Sequence, residues 1–188
     1  MKWIIFLLMG ITLLNATNIQ VEGDVFINGK KANAKMKVNL GDYVVTSKKS
    51  KIVFNIGKDA FMAKGNSEFS IEQGEGIRKI NVVSGGLLGV FKKGSKYELS
   101  TENMTAGIRG TGVYIESKDH KSYFCTCYGE TKVAVGAKKF TMKATHHKMI
   151  WVKTNGVVKV AKELEHHNDV ELRELEALVG RVPSFDKI

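Results

Sequence analysis

Apolar residues in this chain recur mostly at every second position. Ile19, Val21, Val25 and Ile27 fall on one side of an extended segment, Gln20, Glu22 and Asp24 fall on the other, and Asn28-Gly29 follows as a tight-turn dipeptide. This alternation predicts a half-buried β-strand, because successive strand side chains point to opposite faces. Further strands are predicted at Tyr43–Thr46, Ile52–Ile56, Ala60–Ala63, Glu68–Glu72, Ile77–Val83, Leu87–Phe91, Tyr97–Thr101, Val113–Glu116, Ser122–Cys127, Lys132–Val135, Phe140–Ala144, Lys148–Val152 and Val157–Val160. Turn residues such as Gly57-Lys58-Asp59, Gly74-Glu75-Gly76 and Asn155-Gly156 separate many of them. Connections this short leave no room for crossover helices. The fold class expected is therefore mainly β, with many short strands in a sandwich, a barrel or an irregular β-solenoid.

Both ends depart from this pattern. From Asn168 the period becomes helical, and the spacing predicts one short amphipathic helix. Val170, Leu172, Leu175, Leu178 and Val179 are assigned to its buried side, and Glu171, Arg173, Glu174 and Glu176 to its outer side. Asn168 with Glu171 is a capping pair for its start, and Gly180 followed by Pro183 marks its stop. At the other end, Lys2 precedes an apolar run from Trp3 to Leu14, and Leu14-Asn15-Ala16 closes it on a small residue. That arrangement predicts a cleaved export signal over 1–16, since the run is shorter than the roughly 18–20 residues a bilayer span requires. The expected organisation is a signal at 1–16, a β domain at 17–160, and a helix with its tail at 161–188. The expected location is periplasmic or secreted, with no integral membrane segment once the signal is removed.

Composition changes the picture only slightly. Hydrophobic residues make up 43% and charged residues 26%, which suits a chain that can build a core. The net charge of +10 raises nucleic acid as a partner, but only four of the 29 basic residues are arginines: Arg78, Arg109, Arg173 and Arg181. Lysine is a hydrated point charge that suits solvent-facing strand positions, whereas base and groove recognition favours arginine. No nucleic-acid partner is therefore expected; the partner is instead an envelope protein or ligand.

Three segments resemble the FecR domain family in order and approximate spacing. The first is Gly41-Asp42-Tyr43-Val44-Val45-Thr46, with Ser50 and a strand behind it. The second is Val82-Val83-Ser84-Gly85-Gly86-Leu87-Leu88. The third runs from Leu99-Ser100-Thr101 through Ala106-Gly107-Ile108-Arg109-Gly110-Thr111-Gly112-Val113 and is similar to the family's most distinctive element. The resemblance implies a FecR-type β domain that acts as an extracytoplasmic signalling or binding module. Its motif residues, structural or ligand-contacting, are Gly41, Asp42, Thr46, Gly107, Ile108, Arg109, Gly110 and Thr111. On physical grounds Gly107, Gly110 and Gly112 permit a kinked backbone or a close approach. Arg109 sits among apolar neighbours and calls for an anionic or carbonyl partner, for which Asp42 is a candidate. Only Met1 and Lys2 precede the apolar run in this sequence, so the sigma-factor contact of the family's iron-signalling members does not carry over with the resemblance.

The remaining chemistry lies in cysteine and histidine. Cys125 and Cys127 are the only two cysteines; on a strand they share a face with Cα atoms about 6.5 to 7 Å apart, at the outer edge of disulfide geometry. A strained bridge, a thiol-redox pair and a metal site are all open readings. Two same-face thiolates with His146 and His147 would make a Cys2His or Cys2His2 set suited to zinc or copper. Adjacent strand residues point to opposite faces, so a bend is needed for both histidines to reach one ion. His166 and His167 are alternative donors, and His120 lies in a charged turn. No Gly-x-Ser-x-Gly elbow, His-Glu-x-x-His helix, phosphate-binding loop or dinucleotide fingerprint is present, so no enzymatic activity is expected.

Overall fold

In the computed structural model, which describes residues 19–187, the chain forms fifteen strands and one short α-helix. The predicted signal at 1–16 lies outside the described residues. The strands are β1 Ile19–Glu22, β2 Val25–Ile27, β3 Lys30–Lys31, β4 Tyr43–Thr46, β5 Lys51–Ile56, β6 Asp59–Lys64, β7 Glu68–Gln73, β8 Arg78–Val90, β9 Tyr97–Ser100, β10 Thr105–Ile108, β11 Gly112–Lys118, β12 Lys121–Val135, β13 Lys138–Ala144, β14 Lys148–Lys153 and β15 Val158–Val160. The helix α1 spans Asp169–Leu178, and a 3₁₀ turn follows at Ser184–Asp186.

Two sheets share two long, bent strands. One sheet runs β1-β5-β6-β8-β11-β12-β14-β15, and the other β3-β2-β4-β7-β8-β9-β10-β12-β13. All pairings are antiparallel except β8 with β9. Because β8, β11, β12, β10 and β9 close a ring of pairings, the core is barrel-like and the other strands lie outside it. Strands β8 and β12 each give one half to either sheet: β12 pairs with β11 and β14 as far as Tyr128, then with β10 and β13 beyond it. At the corner Gly129 takes a positive φ of +88°, which its lack of a side chain permits. Sequence cues at Ser84-Gly85-Gly86 and at Gly129 predict breaks that divide these strands, whereas the structure turns the breaks into corners.

Between the sheets lies the main core. Phe54 stacks on Phe61 and Phe69, with ring centroids 5.1 and 6.0 Å apart, among Ile52, Ile71, Ile80, Val113 and Phe124. A second buried cluster lies on the opposite, outer face of the eight-stranded sheet. It comprises Val53, Met62, Leu88, Tyr114, Tyr123, Cys125, Cys127 and Tyr128, covered by Ala161, Leu172 and Leu175 of the C-terminal segment. Strand alternation sorts one strand between both clusters. Phe124 points into the main core, while Tyr123, Cys125 and Cys127 point out beneath the helix.

Helix α1 begins as predicted. Asn168 accepts a hydrogen bond from the Glu171 amide and Glu171 accepts one from the Asn168 amide, so two otherwise orphaned N–H groups are satisfied. Its buried face corrects the expectation. Val170 is 70% exposed, and Glu176 is buried against Tyr128 and Arg181. The reason is helical geometry: residues two apart sit about 200° apart around the axis, so Val170 faces away from Leu172, while Glu176, four residues on, shares its face.

Candidate metal centre

The two cysteines sit where β12 is irregular. Tyr114 of β11 opposes Cys125 and Val113 opposes Thr126, but Gly112 already opposes Tyr128, so Cys127 is the extra residue of a β-bulge. Both side chains are buried free thiols. The turn between β13 and β14 supplies the bend the sequence requires: His147 has a positive φ of +44° and its amide donates to the Cys127 carbonyl at 2.8 Å. This places the His147 ring over the thiols, with Nδ1 3.4 Å from Cys125 Sγ.

The second imidazole comes from the C-terminal segment. His167 is 5% exposed, and its ring stacks on Tyr114 with centroids 4.5 Å apart. One ligand atom each from Cys125, Cys127, His147 and His167 lies within 4.8 Å of all the others. His146 is not among them; it is half-exposed and turns to Asp169. His166 turns instead to Glu116, at 2.9 Å, and His120 is an exposed turn residue beside Glu102.

What each nitrogen already does fixes what it can offer. His167 Nδ1 lies 2.7 Å from the Glu165 carbonyl, which can only accept, so that nitrogen carries the proton and Nε2 presents a lone pair. This Nε2 is buried without any hydrogen-bond partner. His147 is held in the complementary way: its Nε2 lies 2.8 Å from Asp169 Oδ1, leaving Nδ1 to face the sulfurs. A carboxylate behind a histidine is the usual support of a metal-bound imidazole.

Electrostatics separates the two thiols. Burial pushes the Cys125 thiol up, but a hydrogen bond from Cys127, the contact with His147 Nδ1 and the nearby His167 ring outweigh it and hold the group well below the ordinary thiol range. Burial, reinforced by the Cys125 charge, drives Cys127 the other way. For His147, burial works against the charged form, yet Cys125 and Asp169 together raise its pKa. Four donors thus converge in a buried pocket, a donor set suited to a four-coordinate zinc-class ion.

The family-like motif residues fall in separate places: Gly107, Ile108 and Arg109 line a cavity of about 340 Å³ with Tyr97 and Glu130, while Gly41, Asp42 and Thr46 lie at the ends of β4. Asp42 accepts from Asn28 Nδ2 and the Asn39 amide, both at 2.7 Å, and so fastens the turn before β4, inside which the exposed Gly41 takes a positive φ of +97°. Thr46 is buried and ties together the backbones of Lys64 and Ser67. Ile108 fills the main core, and Thr111 is buried at the β10–β11 connection. Arg109 is exposed in that connection and makes no pair with Asp42, so the expected ion pair is replaced by the Asn28 and Asn39 contacts. Of the glycines, Gly110 is required: it has φ +83°, and a Cβ there would stand 2.5 Å from Lys93 Cα. Gly107 meets nothing closer than 3.8 Å and carries no such demand. The segment around it forms β10, a strand its glycine content conceals in the sequence.

No family model matches this chain, and no curated protein matches it. In structure it is similar to a crystal structure of a candidate anti-sigma factor from Parabacteroides distasonis, with a TM-score of 0.59, 11% identity, and coverage of 70% of this chain and 64% of that one. The likeness is one of fold. A second crystal structure of a candidate anti-sigma factor from the same organism is similar with a TM-score of 0.43 and 14% identity, covering 74% of this chain and 60% of that one. This chain therefore spans less than two thirds of either protein's length. Among the described residues, no helix is long and apolar enough to cross a membrane.

Proposed function

We propose that this protein is a non-enzymatic FecR-type module of the bacterial envelope that binds a thiophilic metal ion at Cys125, Cys127, His147 and His167 and serves as a sensor of it. The observation that carries the reading is the buried, partnerless Nε2 of His167, gathered with two thiols and a second imidazole within 4.8 Å. A buried polar atom left without a partner costs about 1–3 kcal/mol, and a metal bond removes that cost. The apolar run at Trp3–Leu14 supports an exported chain, and the fold shared with a candidate anti-sigma factor supports a signalling role.

Zinc(II) takes precedence over copper(I) on charge. Two thiolates and two neutral imidazoles balance a divalent ion, while a monovalent ion leaves an uncompensated negative charge in a buried site. The test is titration of the reduced protein with zinc under anaerobic conditions, followed by gel filtration and elemental analysis. One zinc per chain is expected, lost in Cys127→Ser. Asp169→Asn, which touches no ion, should weaken binding about 10–100-fold through the His147 ring it orients. A fully reduced, folded protein that retains neither zinc nor copper(I) would overturn the reading. Retention of copper(I) in preference to zinc would overturn its order of metals.

A further inference from the structure

The four donors are unequally distributed along the chain. Cys125 and Cys127 belong to β12, and His147 to the turn before β14, so three are fixed to the eight-stranded sheet. Only His167 belongs to the C-terminal segment, and Asp169, which steadies His147, is the first residue of α1. An ion bound by all four would cross-link the segment to the sheet.

Without an ion the segment is held by one short helix face and scattered contacts. The helix has ten residues, too short to persist alone in water, and among its side chains only Leu172, Leu175 and Glu176 are buried. The fit is also incomplete: a cavity of about 590 Å³ is lined by Met62, Leu88, Tyr114 and Glu116 of the sheet and by His166 of the segment. Its other attachments are the partly buried Leu178, Val179 and Phe185, the last edge-on to Tyr128, and polar contacts that include Lys64 to Glu171 at 2.5 Å, His166 to Glu116 and Glu176 to Tyr128. In each of the two ion pairs the cation is largely solvated while the carboxylate is not, so the Coulomb gain is offset by desolvation of Glu116 and Glu171. The closed position moreover leaves His167 Nε2 buried and unpaired, which favours opening until a ligand takes up its lone pair.

Building on the metal-binding reading, we infer that the ion is the fastener of the C-terminal segment. Metal loading closes 161–187 over the outer face of the eight-stranded sheet, and metal loss releases it and uncovers Tyr114, Tyr123 and Leu88. As zinc enters, two protons leave to solvent, one from Cys127 and one held between Cys125 and His147, and the coordination bonds take their place.

Hydrogen–deuterium exchange on the full, reduced chain tests this, with chelator or with zinc at about one hundred times its dissociation constant, and with bound zinc counted in the same samples. Closure linked to binding predicts at least about tenfold slower exchange across 161–187 on loading, and no comparable change in β5 or β7 of the main core. His167→Ala, which leaves three donors, should still take up zinc, more weakly, but lose the protection of 161–187. One zinc bound with unchanged exchange in the segment would overturn the fastener and leave the metal-binding reading standing. Equal slowing over the whole chain would overturn it likewise, and no zinc bound would overturn the metal-binding reading on which it rests.

Discussion

The two buried clusters on either side of the eight-stranded sheet have opposite characters. The inner one, between the sheets, is built mostly from aliphatic and phenyl side chains such as Phe54, Phe61, Ile80 and Val113, with the phenol of Tyr97 at its edge bonded to Arg78. The outer one gathers three tyrosines, two thiols and a histidine beneath a thin cover, with Glu116 and Glu176 buried at its margin. Apolar packing without polar atoms gives stability with no chemical selectivity. A layer rich in hydroxyl, sulfur and imidazole groups stabilises less, because each polar group must be satisfied, but it can respond to what it binds. One strand, β12, supplies both through its alternation, with Phe124 on the inner face and Cys125 on the outer.

That contrast can be broken or sharpened by substitution. Phe54→Ala removes a ring stacked between two others in the inner cluster and should cost about 3–5 kcal/mol of global stability, read from denaturant midpoints. A loss below about 1 kcal/mol would mean that the inner cluster is not what holds the domain together. Asn168→Ala strips the helix cap and should cost only about 1 kcal/mol, confined to exchange rates in the C-terminal segment. If it lowered the global midpoint as much as Phe54→Ala, the two layers would be one cooperative unit.

The contrast also sets a pH dependence. A hydrogen bond to Glu68 raises the pKa of Tyr43 from the usual 10 to about 12. Burial, aided by nearby Asp59, Glu116, Cys125 and Glu176 respectively, pushes Tyr97, Tyr114, Tyr123 and Tyr128 higher still. The folded chain therefore keeps phenolic protons that the unfolded chain releases near pH 10, so this contribution is complete below that pH and declines as pH rises toward 12. Denaturant midpoints should fall between pH 10 and 11, with no tyrosinate absorbance from the folded protein at pH 10. Tyrosinate absorbance at that pH, in protein still folded, would contradict the assignment.

Much of the fold is legible in the sequence because period-two alternation marks each half-buried strand. It fails where the cue is ambiguous: glycine at 85, 86 and 129 signals a turn equally well as a corner, and only the partner strands decide which. Strand β10 is hidden by Gly107. Within the site, Cys125 and Cys127 are legible from spacing on one face, and His147 from proximity to a hairpin end. The exchange of His146 for His167 depends on which ring a bend turns inward, and Asp169 is masked by its place beside a helix cap. These contacts join residues 20 or more positions apart, where local pattern carries no information.

The two strands shared between sheets have a mechanical implication. Because β8 and β12 pass from one layer to the other without leaving the hydrogen-bond ladder, neither layer can be peeled away while its neighbour stays whole. Folding must bring together segments as remote as β8 and β12 before either corner can set, which places the chain among slow-folding topologies. Under load applied at its ends, the β domain should yield in a single large step, after the C-terminal segment has come away.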